Sequence, residues 1–340
     1  MQKIISKQDL NKFLISQQAY LLPDGQPNQS GTMPRNGMVI DAYKLIRRLG
    51  RGMSAEVWQA RVEEVRIGVP VHVGQEVAMK LYSPGLLHGM QTLRVQREFL
   101  LASQFQHDHL ASVYDLVLSP SRPNHAFLVM EYVHGPTLKQ YISINNVLSF
   151  KDTLTIAKQL FSALQEIHSL GALHRDVKAA NIMVLESDLP NINIKLLDFG
   201  IISVENDAEL TGSMFLGSKH SAPYEQLIGG ELDERVDIYG VGTVLYQCYS
   251  GKPIYAGSGP EAAIALRMLH DPGKLESRLN NDVSSQEEEF VKFVNRCISV
   301  NKENRPASAI ECLLELEHIS ENEINYSQRS NKSQENKVIW

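Results

Sequence analysis

An α+β chain in two parts is what this sequence predicts, and three observations predict it. Segments of strand character concentrate between Tyr43 and Tyr132, with one helical stripe from Leu93 to Phe105 among them. From Ser149 onward the long apolar patterns are helical: Phe150 to Leu170, Asp237 to Ser250, the run after Ser284, and Pro306 to His318. Within that second region lies a polar stretch, Leu173 to Gly200, in which Asp176, Asn181 and Asp198 are interspersed with Arg175 and Lys178.

Composition narrows the class. The 340 residues, 43% hydrophobic and 21% charged, have the balance of a globular chain, and the length suits one two-part unit with tails. A net charge of -6 offers no basic excess to neutralise phosphates, so no nucleic-acid partner is expected. Cys248, Cys297 and Cys312 lie in apolar helical patterns without CxxC spacing, which reads as buried reduced thiols. The uncharged run Ile238 to Gly251 is too short and too rich in Gly, Tyr and Gln to span a bilayer, and the N-terminus lacks an apolar signal region. A cytoplasmic location with no membrane span follows as the expectation.

The elements can be justified in order. Leu10, Phe13 and Leu14 recur at helical spacing after an S-x-x-D opening, a short amphipathic helix that either frays or docks. Residues Pro23 to Gly37 are loop chemistry. Tyr43 to Arg48 reads as a strand, Gly50-Arg51-Gly52-Met53-Ser54-Ala55 as a loop, and Glu56-Val57-Trp58 as the returning strand; a long turn, Val62 to Gln75, then leads to Val77-Ala78-Met79-Lys80. Strand period places Val77, Met79 and Leu81 on one face and Ala78 with Lys80 on the other. In the helix from Leu93, Val95, Glu98, Ala102 and Phe105 form an apolar stripe with one carboxylate in its middle. Buried, Glu98 needs a counter-charge; rolled outward, it is solvated beside Arg94 and Arg97. Ala126 to Tyr132 reads as a buried strand, and Ser149 with Asp152 starts the helix to Leu170. Ser284, Ser285, Glu287 and Glu288 form overlapping capping boxes ahead of Phe290, Phe293, Val294, Cys297 and Ile298. From Ser320 to Trp340 the chain is too polar to bury a core, apart from Val338-Ile339-Trp340, which is apolar enough to dock.

Two signatures in order carry a resemblance. His174-Arg175-Asp176-x-Lys178-x-x-Asn181, followed by Asp198-Phe199-Gly200, resembles the catalytic loop and metal-binding turn of eukaryotic-type protein kinases. Gly50-x-Gly52-x-x-Ala55-x-Val57 is similar to that family's Gly-rich loop, with Ala55 replacing its third glycine. The likeness runs from about Tyr43 to His318 and implies a bilobal fold: a small antiparallel β-sheet N-lobe with one helix, then a mostly α-helical C-lobe.

The resemblance also implies a chemistry and a residue set. Phosphoryl transfer needs a carboxylate to orient the acceptor hydroxyl, oxygen ligands for a divalent ion, and cations for the moving charge. Asp176 matches the first role, Asn181 and Asp198 the metal ligands, and Lys178, Lys80 and its partner Glu98 the remainder. Gly50, Gly52, Val57, Ala78, Lys80, Met130, Glu131, Val133 and Met183 match the positions that surround ATP. Mg²⁺ is the implied metal, with Mn²⁺ as an alternative. Lys178 resembles serine/threonine rather than tyrosine kinases, and the soluble, compact plan resembles bacterial members of the family. Thr211, Ser213 and Ser218 are candidate phosphosites in an activation segment, where Arg175 would pair with phosphate. The segment departs from the family where Pro223-Tyr224-Glu225 replaces Ala-Pro-Glu, although Glu225 and its family partner Arg305 are both present. Residues 1–42 are then an extension, 43–318 the kinase domain (43–132 and 133–318), and 319–340 a polar tail. Protein substrates bearing Ser or Thr are the implied partners. The alternatives are a pseudokinase scaffold and a small-molecule kinase; the oligomeric state has no sequence signature here.

Overall fold

The computed structural model describes residues 34–52, 55–82, 90–117, 127–186, 191–197, 203–204, 221–255, 275 and 284–321. Two compact units divide the chain: Met1–Phe105 with Ala111–Tyr132, and Gln106–Leu110 with Val133–Trp340.

The first unit is built on an antiparallel sheet of six strands, β1 (Val39–Ile40), β2 (Tyr43–Arg51), β3 (Ala55–Val62), β4 (Glu76–Tyr82), β5 (Val113–Val117) and β6 (Phe127–Glu131), in the order β1-β2-β3-β4-β6-β5. Alternation decides which face is core. Trp58, Ala60, Val77, Met79, Leu81, Phe127 and Val129 are buried together with Tyr43 and Leu45, and the intervening residues face the other way. The helix α1 (Met90–Ala102) starts and ends three residues earlier than the apolar stripe suggested. Val95, Glu98, Ala102 and Phe105 are all buried, so of the two placements open for Glu98 the inward one holds.

The long turn between β3 and β4 is ordered. Val62 and Gln75 close it through backbone hydrogen bonds, Val62 N–H donating to Gln75 at 2.9 Å and Gly74 N–H to Val62 at 2.8 Å. Arg66, inside the turn, donates to the buried Asp115 carboxylate at 2.7 Å and lies 3.3 Å from Asp41. Tyr43 Oη donates to the same Asp115 at 3.3 Å. Burial pushes the Asp115 carboxyl up, opposed by Arg66, and pushes the Tyr43 phenol up with help from the Asp115 charge.

The second unit is mainly helical. Among the described residues its helices are α2 (Leu138–Asn145), α3 (Phe150–Ser169), α4 (Tyr224–Leu227), α5 (Arg235–Ser250), α6 (Ser285–Cys297) and α7 (309–321). Ser149 caps α3 by accepting from Asp152 N–H, and Ser284 caps α6 by accepting from Glu287 N–H, as the sequence indicated. The last helix begins at 309 rather than Pro306: Ser308 Oγ accepts from Glu311 N–H, and the Glu311 carboxylate accepts from Ala307 N–H. That capping arrangement sets the start after the proline. α3 and α5 are the central helices, and α5 is buried along almost its whole length. Short pairings, β7 (Ala172–Leu173) with β10 (Ser203–Val204) and β8 (Ile182–Val184) with β9 (Ile194–Leu196), frame the polar stretch. Cys248, Cys297 and Cys312 are buried free thiols, and burial raises the Cys248 and Cys312 thiols well above the usual range. Among the described residues, no helix is long and apolar enough to cross a membrane.

Candidate active site

In the first unit, strand register brings five of the predicted residues onto one face. Gly50 lies opposite Val57, Val57 opposite Lys80, and Ala78 opposite Met130. Directly opposed residues share a face, so Gly50, Val57, Ala78, Lys80 and Met130 stand together on the face away from the buried cluster. β2 irregularities between Leu45 and Arg47 and between Arg48 and Gly50 bring Gly50 into this register. Gly52 N–H donates to Ala55 O at 2.8 Å and tightens the loop, whose tip, Met53 and Ser54, is outside the described residues. Among the described residues, a Cβ at Gly50 would meet nothing within 4 Å, and one at Gly52 would meet Ala55 O at 3.6 Å. The open space above these two residues suits a close approach of phosphate oxygens to the backbone. At the end of β6, Glu131 N–H donates to Ser112 O at 2.8 Å and its carboxylate accepts from Ser112 N–H at 3.0 Å.

In the second unit, the polar stretch forms a closed hydrogen-bonded loop. Asp176 is buried; its Oδ2 accepts from Lys178 Nζ at 2.5 Å and from Asn181 Nδ2 at 3.0 Å. The same Asn181 nitrogen donates to the Asp176 carbonyl at 3.0 Å. With its amide hydrogens committed to Asp176, the Asn181 side chain presents Oδ1, a hard oxygen donor of the type a magnesium-sized ion prefers. The Asn181 carbonyl accepts from Leu197 N–H at 2.7 Å, tying the loop to the residue immediately before Asp198. Asp198, Phe199 and Gly200 are themselves outside the described residues, as are Thr211, Ser213 and Ser218. Val133 is buried at the start of the second unit. Met183 lies on β8, opposite Lys195 and bridged to Thr137.

The loop backbone is held from the fold's interior. His174 is fully buried; its Nδ1 accepts from Asp176 N–H at 3.3 Å and its Nε2 lies 3.1 Å from Leu197 O, which assigns the ring proton to Nε2. Arg175 has a left-handed backbone, φ 63°, a conformation that surrounding bonds must enforce in a non-glycine residue. Asp237 on α5 supplies two of those bonds, accepting from His174 N–H at 2.8 Å and Arg175 N–H at 2.7 Å. Its neighbour Gly240 lets α5 approach closely: a Cβ there would fall 2.9 Å from Val177 Cβ. The Glu225–Arg305 pair expected from the family pattern is present despite the altered Pro223-Tyr224. Arg305, fully buried, donates to Glu225 at 2.6 and 3.3 Å and to three backbone carbonyls, and lies over the Tyr239 ring.

Sequence reasoning missed His168. Its Nε2 lies 2.9 Å from Asp237 Oδ2, and its Nδ1 is 3.3 Å from Glu234 in an ion pair too poorly directed for a hydrogen bond. Burial opposes the charged ring, but the Asp237 hydrogen bond and the charges of Asp237 and Glu234 outweigh it and raise His168 to about 9. Asp237 is held below the usual carboxylate range: burial pushes it up, and His168 with the His174 N–H more than offsets this. Since the folded value for His168 exceeds the ordinary 6.5, its contribution to stability is fully present below pH 6.5 and is lost as pH rises through about 9. Urea denaturation is therefore expected to show falling stability between pH 6.5 and 9 in the wild type and a shallower fall in His168→Gln. Equal slopes in the two proteins would refute the assignment.

An antiparallel sheet with a helix beside it in sequence, a mainly helical second unit, and an Asp–Lys–Asn loop whose Asp176 and Asn181 are buried and whose backbone is pinned by an aspartate from the central helix define the protein kinase class. The family model for the protein kinase domain matches residues 43–318, and the chain belongs to that family. It is similar to a probable serine/threonine-protein kinase of Clostridium acetobutylicum, 32% identical over 285 residues, covering 83% of this chain and 40% of that protein. Similarity extends to the serine/threonine-protein kinase PrkC of Bacillus subtilis, 32% identical over 230 residues, covering 67% and 33%. With the serine/threonine-protein kinase PknB of Mycolicibacterium smegmatis it shares 30% identity over 288 residues, covering 83% and 43%. The chain thus spans less than half the length of each of these relatives.

Proposed function

We propose that this chain is an ATP- and Mg²⁺-dependent serine/threonine protein kinase of the eukaryotic type found in bacteria, acting on protein substrates in the cytoplasm. The observation that carries the reading is the Asp176 carboxylate, buried and oriented at one oxygen by both Lys178 and Asn181. In this reading Asp176 accepts the hydrogen bond of a Ser or Thr hydroxyl, directs its oxygen at the γ-phosphorus of ATP, and takes its proton as the new P–O bond forms and the bond to ADP breaks. Lys178 places a cation beside the transferring group. Lys80, with Glu98 assigned as its counter-charge, would meet the phosphates from the sheet. Gly50 and Gly52 would cover the phosphates with backbone N–H groups, and Val57 and Ala78 would line the adenine beside Met130; the backbone of Glu131 and, in the second unit, Val133 and Met183 are likewise assigned to ATP. Asn181 and Asp198 would hold the metal, which when bound neutralises phosphate charge; Mn²⁺ would satisfy the same oxygen donors. The catalytic domain is assigned to residues 43–318, divided at 132/133, with flanking segments 1–42 and 319–340. Self-phosphorylation is assigned to Thr211, Ser213 or Ser218.

Labelled ATP offered with generic protein acceptors, and separately with hydroxyl-bearing metabolites and antibiotics, tests the reading. Transfer to protein is expected, with at least about a hundredfold loss in Asp198→Ala at saturating Mg·ATP. Label found on small molecules alone, or undiminished transfer by Asp198→Ala, would overturn the acceptor class or the metal assignment respectively.

A further inference from the structure

Gln226 lies on α4 directly after Glu225 and is buried. Its Nε2 donates to the main-chain carbonyl of Arg175 at 2.9 Å. That carbonyl belongs to the same peptide unit as the N–H of Asp176, and this N–H donates to His174 Nδ1 at 3.3 Å. The peptide plane joining Arg175 to Asp176 is therefore gripped at both of its polar ends. The preceding plane is gripped by Asp237, which accepts from Arg175 N–H. Between the two planes sits the left-handed Arg175, whose strained conformation persists only while both are held. Rotation of the second plane would move the Cα of Asp176, and with it the carboxylate.

We infer that Gln226 is a positioning residue for Asp176, fixing the orientation of the Arg175–Asp176 peptide. The grip is itself anchored, because the adjacent Glu225 is locked to the buried guanidinium of Arg305. α4 thereby links the end of the activation segment to the residue proposed to orient the acceptor hydroxyl. Asp237 holds the loop from below whatever α4 does; Gln226 adds the restraint that depends on α4 being in place. The inference rests on the kinase reading above for its effect on turnover, but the restraint is a property of the loop in its own right.

The test is Gln226→Met in the full chain, a replacement of similar length and volume that packs but cannot donate. The variant is expected to lose about tenfold in kcat while the KM for ATP and the melting temperature stay at wild-type values, since a displaced reacting group lowers turnover steeply. Amide hydrogen exchange over residues 174–178 is expected to speed up, with the helix 150–169 as protected as before. Wild-type kcat and exchange in Gln226→Met would overturn the inference, as would a loss of kcat that merely follows a lowered melting temperature. If the wild-type protein transfers no phosphate, the kinase reading fails separately. Hydrogen exchange then decides the restraint alone: faster exchange at 174–178 supports it, and unchanged exchange removes it.

Discussion

Asp176→Asn is expected to fold and to bind ATP as the wild type does, yet to transfer phosphoryl groups about a thousandfold more slowly. The amide oxygen can still accept from Lys178 and from Asn181, the two donors that converge on Asp176 Oδ2. The backbone clamp through His174, Arg175 and Asp237 does not involve the Asp176 side chain at all. What the substitution removes is basicity, and positioned general bases contribute about 10²–10⁴-fold. Label transfer, melting temperature and calorimetric ATP binding measured on one preparation separate these effects. Transfer within about tenfold of wild type would show that Asp176 does not receive the proton.

Asp237→Ala is expected to be the most damaging single change to the second unit. The carboxylate is fully buried and accepts from two backbone N–H groups and from His168. Its loss orphans three donors, one on a ring that its charge helps to keep protonated. Each buried orphan costs about 1–3 kcal/mol, so a loss of roughly 3–9 kcal/mol is expected, a large part of the stability of an ordinary domain. Phosphoryl transfer is expected to fall with it, because Arg175 loses a bond that enforces its left-handed backbone. Urea denaturation showing a change below about 1 kcal/mol would contradict the role given to Asp237.

Several of these features were legible in the sequence because they repeat over short distances. The alternation of Val77, Met79 and Leu81 against Ala78 and Lys80 states the two faces of β4, and register bears it out. Ser149 and Ser284 announce their helices because a cap is a local hydrogen bond. Two local signals were present and overlooked. Thr137 and Gln140 form a capping box that starts α2, and Val113-Tyr114-Asp115-Leu116-Val117 alternates as β5 does. Other features have no local signature. Arg66 meets Asp115 and His168 meets Asp237 only after the chain has folded across long separations. Gln226 binds a main-chain carbonyl, a group every residue carries, so no side-chain pattern points to its partner.

Transfer of the γ-phosphoryl group from ATP to Ser or Thr of proteins is read out by phosphoamino-acid analysis. Purified full chain is incubated with γ-labelled ATP, Mg²⁺ and a generic protein acceptor, and the labelled protein is hydrolysed and resolved. Phosphoserine or phosphothreonine is expected, and its loss in Asp176→Asn. Phosphotyrosine alone, or label on protein that persists unchanged in Asp176→Asn, would contradict it.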